Sequence, residues 1–207
     1  MLLDKQRLSA MFLRAAAVWQ ENTALLSDID SRFGDGDHGV TIGKIANCLR
    51  TAVEQWEGQP VGEFLTSLGA AIMAVGGGSA GPLYGTLIGD LAGPLADEAA
   101  VDGPLFKKML AASRDGMFAI TKAREGDKTM MDALIPAVHA ALAAPDDPAA
   151  ILAAAAKAAA EGAAATEGYV SRFGRARSYG DKTLGTRDAG ACSTALLFRG
   201  LHEGFDG

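Results

Sequence analysis

The chain has 207 residues with a formal charge of -6, 49% of them apolar and 21% charged. A domain of that size buries a sizeable core without staples, and two cysteines, Cys48 and Cys192, make no disulfide framework. The acidic balance and the lack of a Lys/Arg-rich tract exclude attraction to phosphate backbones and anionic lipid, so neither nucleic acid nor a membrane is an expected partner. Charges at Asp4, Lys5, Arg7 and Arg14 interrupt the apolar run that a secretory signal would need, and the expected location is cytoplasmic.

With 41 alanines and 26 glycines, and with little alternation of apolar and polar residues, the expected class is all-α. Leu8, Phe12, Ala15 and Trp19 share a helical face, which predicts a first helix over about Asp4 to Ser27. The polar stretch DIDSRFGDGDHG breaks that pattern, and Val40, Ile42, Ile45 and Leu49 resume it in a second helix closed by Gly58 and Pro60. Val61 to Val75 reads as a third helix, apolar almost all round and so expected to be central. After GGGSAGP, Pro82 suits the first position of a fourth helix that continues to about Ala96. Pro104 opens a fifth helix, which fades near KAREGDK, and Thr129 with Asp132 resembles a capping box for a sixth that runs to about Leu142. Asp146 or Asp147 caps a seventh, Ala-rich helix, read as closely packed rather than membrane-spanning because Lys157 and Glu161 lie on one face of it. A polar, basic segment from Gly168 to Gly190 precedes the eighth, with Leu196, Leu197 and Leu201. The simplest packing is a closed bundle of eight antiparallel helices in one domain, residues 1–207, with the loops after helices one, three, five and seven at the same end.

Those four loops hold the unusual residues. Asp30, Asp35 and Asp37 are three carboxylates within eight residues on a loop bent by Gly34 and Gly36, a hard-oxygen donor set that suits magnesium better than an EF-hand cage. A solvated turn is the competing reading of that loop. His38, Gly39, Val40 and Thr41 follow as a first helical turn, whose free N–H groups favour an anion. GGGSAGPLYG resembles a phosphate cradle with a hydroxyl at Ser79, but has no P-loop lysine. In GDKTMMDAL, Met130 or Met131 could lie against a flat ring. Arg175, Arg177, Lys182 and Arg187 supply charge in the last loop, and Asp188 is placed to cap the final helix.

Together, in this order, GDGDHG, GPLYGTL, GDKTMMDAL and the terminal G-R-A…DAGA resemble the L subunit of dihydroxyacetone kinase over essentially the whole chain. The resemblance implies a barrel of eight antiparallel helices with Mg-ADP or Mg-ATP across one end. It implies Asp30, Asp35 and Asp37 as ligands of two magnesium ions, and His38, Gly39, Val40 and Thr41 as the phosphate-contacting turn. Ser79 and Ala80 fall in the phosphate loop, Thr121 and Met130 in the nucleoside pocket, Arg175 in the basic loop, and Asp188, Ala189 and Gly190 in the turn before the last helix. Three residues depart from the family pattern: Ala80 where serine is usual, Thr121 where glycine is common, and Ala189 in place of a frequent proline. The resemblance also implies a K-type subunit that holds the short ketose. The phosphoryl donor is either ADP recharged in place by a phosphotransferase-system protein or freely exchanging ATP. A fatty-acid kinase module would read DGDTG where this chain has His38, and a non-catalytic nucleotide-sensing subunit is the reading from another class.

Overall fold

The computed structural model describes residues 2–206. It is all-α, as its composition implies: nine α-helices account for most of the described residues, and the only strands among them are the two-residue pair Leu3–Asp4 and Ala100–Val101. The helices are α1 (Lys5–Glu21), α2 (Thr23–Ser31), α3 (His38–Glu54), α4 (Val61–Met73), α5 (Ala80–Gly89), α6 (Gly103–Ile120), α7 (Met131–Ala143), α8 (Pro148–Ala165) and α9 (Ala189–Asp206). Packing runs from α1 to α3 and then through each successive helix to α9, which returns onto α1 and closes a ring of eight. The apolar residues inside it form one connected core that includes Trp19, Ile42, Leu49, Leu65 and Leu134.

The ninth helix arises because the single first helix expected from the sequence is two. Asn22 turns its side-chain amide back onto the carbonyl of Val18 at 2.7 Å and its N–H onto that of Trp19 at 3.1 Å, ending α1. The chain restarts as α2, which lies on α3 outside the ring and carries Asp30 in its last turn. α4 is not central: Glu63, Thr66 and Ser67 are exposed on one face, while Phe64, Leu65 and Leu68 are buried on the other. The fourth helix stops at Gly89, short of Ala96, and tightens into a 3-10 turn over Asp90–Ala92 before Gly93 and Pro94. Pro82 is the third rather than the first residue of α5, a position whose N–H is still not needed by the helix. Pro104 and Pro148 stand in the first turns of α6 and α8, where Asp102 and Asp147 accept capping bonds from Leu105 and Ala150.

α8 is lined with alanine on the side that meets α7 and α9, so the backbones approach closely. No helix among the described residues is long and apolar enough to cross a membrane. The ring brings the α2–α3, α4–α5, α6–α7 and α8–α9 connections to one place, where they line a single cavity.

Candidate metal and phosphate site

The cavity has a volume of about 590 Å³. At its mouth Asp30, Asp35 and Asp37 each offer a carboxylate oxygen, and the three lie within 4.8 Å of one another. Asp30 comes from the end of α2, and Asp35 and Asp37 from the loop that follows. The loop folds back tightly enough that a Cβ on Gly34 would run into the Asp30 carboxylate, which is the local reason for glycine there. Like charges this close repel, and the exposed Arg175 guanidinium forms an ion pair with Asp35 that holds its carboxyl below the usual range. An all-oxygen, partly exposed set of this kind fits a hard divalent cation that keeps waters or phosphate oxygens in its remaining positions.

The first turn of α3 adjoins the carboxylates. The side chain of Asp37, which precedes the helix, makes no capping bond, and the His38 N–H faces Asp30 Oδ2 at 3.4 Å. His38 and Thr41 line the cavity, whereas Gly39 and Val40 stand outside its lining. Val40 is 56% exposed, and Gly39 packs on α2 so closely that a Cβ would strike the Thr23 carbonyl. Gly77, at φ 140°, closes over this turn where any side chain would collide with Thr41. Ser79 and Ala80 follow at the start of α5, and the Ser79 hydroxyl is not engaged in capping it.

Behind His38 runs a buried hydroxyl network. His38 Nε2 is 2.8 Å from Ser193 Oγ, which is 2.7 Å from the Tyr84 hydroxyl, itself 2.9 Å from Thr194 Oγ1. Burial holds His38 below its ordinary pKa, against the opposing pull of Asp30 and Asp37, and pushes the Tyr84 phenol up. The Ser193 bond thereby fixes the imidazole in place.

The far wall is made by the other two loops. Thr121 ends α6 in extended backbone, with its hydroxyl accepting from the Ala123 N–H at 3.1 Å. Met130 is buried, and a Cβ on Gly190 would sit 3.4 Å from that of Met130, so the two residues touch across the cavity wall. The expected capping box is half realised: Asp132 accepts from the Thr129 N–H at 2.6 Å and also from that of Gly126 at 2.5 Å, while the Thr129 hydroxyl takes the Met131 N–H at 3.2 Å. Asp188 caps α9 through the Ala191 N–H at 2.7 Å, and burial pushes its carboxyl up to about 7. Ala189 is buried in the first turn of the same helix. The structure therefore brings Asp30, Asp35, Asp37, His38, Thr41, Ser79, Ala80, Thr121, Met130, Arg175, Asp188, Ala189 and Gly190 to one cavity.

Sequence reasoning missed Lys128, Phe33 and the Tyr84–Ser193–Thr194 network. A lysine in a polar loop and two hydroxyls in a helix carry no periodic signal that separates them from solvated neighbours. Phe33 meets Tyr179 with ring centroids 5.2 Å apart, linking the carboxylate loop to the basic one across the cavity mouth.

Residues 32–203 match the DAK2 domain. A relative in Listeria innocua serovar 6a, the PEP-dependent dihydroxyacetone kinase 1 ADP-binding subunit DhaL, is 32% identical over 182 residues, spanning 88% of this chain and 87% of its own. The L-erythrulose 1-kinase of Mycolicibacterium smegmatis is 35% identical over 90% of this chain, which spans 33% of that longer protein. The crystal structure of the C. freundii dihydroxyacetone kinase in complex with AMP-PNP and Mg2+ superposes with a TM-score of 0.71 at 28% identity, covering 95% of this chain and 33% of that one. With the four loop motifs gathered round one cavity in the same all-α fold, the chain belongs to the DAK2 domain family, as a DhaL-type subunit resembling the L subunit of dihydroxyacetone kinase.

Proposed function

We propose that the chain, as one nucleotide-binding unit, presents a phosphoryl group from a magnesium-bound nucleotide to a short ketose held by a separate K-type subunit. The observation that carries this reading is the convergence of Asp30, Asp35 and Asp37 at the mouth of a cavity beside the first turn of α3. In it the three carboxylates would hold two magnesium ions, and the turn of His38, Gly39, Val40 and Thr41 together with Ser79 and Ala80 would receive the phosphates. Thr121 and Met130 form the nucleoside pocket, and Asp188, Ala189 and Gly190 close it. Arg175, paired with Asp35 beside the triad, would stand within the basic loop facing the phosphate chain. Magnesium at this position supplies neutralisation of the negative charge on the transferring group.

The contribution of the chain's own residues is placement. His38, held by its bond to Ser193, would present its ring at the phosphate end. Helix N-terminal N–H groups fix the phosphate oxygens in a site already shaped by glycine loops. The ketose and its activating groups belong to the partner, so this subunit alone turns over nothing. The name of the Listeria relative, an ADP-binding subunit of a PEP-dependent kinase that matches this chain almost end to end, favours ADP as a resident coenzyme recharged by a phosphotransferase-system protein.

The test is to purify the protein without added nucleotide, release any ligand by denaturation, identify it chromatographically, and titrate the stripped protein with ADP and ATP with and without magnesium. Retained ADP that survives dialysis supports the coenzyme form. Reversible, magnesium-dependent ATP uptake by an empty site moves the reading to an ATP-using subunit, and no binding of either nucleotide overturns it.

A further inference from the structure

Lys128 is 4% exposed and has φ 61°, a left-handed backbone that residues with a side chain hold only when their surroundings impose it. Its ammonium shares three N–H groups among four main-chain carbonyls: Thr166 at 2.8 Å, Tyr169 at 3.2 Å, Thr183 at 2.7 Å and Thr186 at 2.5 Å; the Thr166 carbonyl also accepts the Tyr169 N–H at 3.1 Å and the Thr183 carbonyl the Thr186 hydroxyl at 2.7 Å. All four belong to the connection between α8 and α9, whereas Lys128 belongs to the one between α6 and α7. No carboxylate of the described residues pairs with it directly; burial lowers its pKa, and Asp188, Glu167 and Asp132 oppose that from farther out. Four carbonyl oxygens aimed at one point repel one another and diverge unless a cation sits between them. Such an all-carbonyl cage has the chemistry of a site for a weakly hydrated monovalent cation.

We propose that Lys128 is a built-in, covalently tethered monovalent cation and a positioning residue. It gathers the Thr166–Thr186 carbonyls and so holds the segment that carries Arg175 and Asp188 as the far wall of the cavity. The geometry round it is consistent with one gathered unit. Ser171 N–H bonds to Thr183 Oγ1 at 3.0 Å, Gly185 N–H to the Glu167 carbonyl at 2.8 Å, and Asp188 N–H to Thr166 Oγ1 at 3.0 Å. The link to nucleotide binding rests on the function proposed above, but the cage itself does not.

The deciding variant is Lys128→Gly, which adopts the positive φ freely and leaves the four carbonyls with an ammonium-sized space. In the ligand-free protein, tryptic cutting at Arg172, Arg175, Arg177, Lys182 and Arg187 is followed by mass spectrometry. It should accelerate by on the order of 10- to 100-fold, the loss anticipated for hydrogen bonds to a charged group. At matched ionic strength, ammonium or potassium chloride should restore protection, while tetramethylammonium chloride, too large for the cage, should not. Wild-type protein and Lys128→Met should respond to none of these salts. Magnesium-dependent ADP affinity of Lys128→Gly should fall by roughly tenfold and recover with the same two cations. Unchanged cutting, or loosening that ammonium and potassium do not reverse, overturns the proposal. If wild-type protein binds no nucleotide, the functional reading fails while the proteolysis still judges the cage. Should Lys128→Gly not fold, wild-type protein labelled with 15N-lysine decides: one slowly exchanging ammonium resonance supports the cage, and its absence overturns it.

Discussion

The ring of helices and the loop end are held together in opposite ways. In the ring, order is spread over many small apolar contacts: Ala15, Ala137, Ala141, Ala155 and Ala159 are fully buried, and no single side chain decides the packing of α1, α7, α8 and α9. At the loop end a few polar atoms each serve several partners: one ammonium takes four carbonyls, one Asp132 carboxylate takes two N–H groups, and one Ser193 hydroxyl meets both His38 and Tyr84. The ring can thus lose a contact and keep its shape, while the loops lose a wall of the cavity when one group goes. A division of this kind suits a rigid scaffold that presents a site on its connections.

The largest effect expected from breaking that division is chemical and leaves the ring untouched. Asp37→Asn or Asp30→Asn removes one charge from the carboxylate triad, and transfer to a short ketose in the presence of a K-type partner should fall by about three orders of magnitude or more. Helical circular dichroism should be unchanged, and full activity in either variant would remove the metal assignment. The converse comes from the ring. Leu49 is fully buried on α3, and Leu49→Ala should cost about 2–5 kcal/mol in urea unfolding, with magnesium-dependent ADP affinity kept within roughly twofold. A variant that lost affinity as steeply as stability would show that the two regions are not separable.

Asp188 sharpens the comparison through pH. Its folded carboxyl lies at about 7, raised first by burial and then by Asp132, while the unfolded value is about 4. Between those two values the folded chain holds a proton that the unfolded chain has released, so stability is greatest at the acid end of the window and falls as pH rises towards 7. Asp188→Asn keeps a side-chain cap for α9 and removes the titration. The wild-type minus variant difference in unfolding free energy should therefore decline by about 1–2 kcal/mol from pH 4 to pH 7, discounted because the residue is only half-buried. A difference that stayed flat across the window would place Asp188 in solvent rather than in the cavity wall.

The same division decides what the sequence could reveal. Apolar spacing at Leu8, Phe12, Ala15 and Trp19 and at Ile42, Ile45 and Leu49 is a repeated signal, and those helices are where the spacing puts them. The break at Asn22 was illegible because one amide folding back on Val18 leaves the apolar pattern almost undisturbed. Misplacing α4 at the centre has a similar cause: glycine and alanine count as apolar, yet Ala70 and Ala71 lie on its exposed side. The carboxylate loop stood out because three aspartates among glycines are unusual in composition. Lys128 did not, because its meaning lies in carbonyls 38 to 58 residues away that carry no side-chain identity.

The smallest expected effect tests the ring's side of the comparison. Lys157 and Glu161 face each other one turn apart on α8 at 4.0 Å, with side chains 80% and 68% exposed. An exposed pair at this spacing contributes roughly 0.2–0.5 kcal/mol, and alanine is the better helix former, so Lys157→Ala should move stability by less than about 0.5 kcal/mol in either direction. Charge alone does not make a residue matter in this fold. Lys157 and Lys128 carry the same ammonium, but water already solvates the first, whereas the second replaces water for four carbonyls, of which those of Tyr169 and Thr186 take their only side-chain donor from it. Thermal unfolding of Lys157→Ala beside that of Lys128→Gly measures this contrast directly, and a large shift for Lys157 would mean that the ring, too, hangs on single polar contacts.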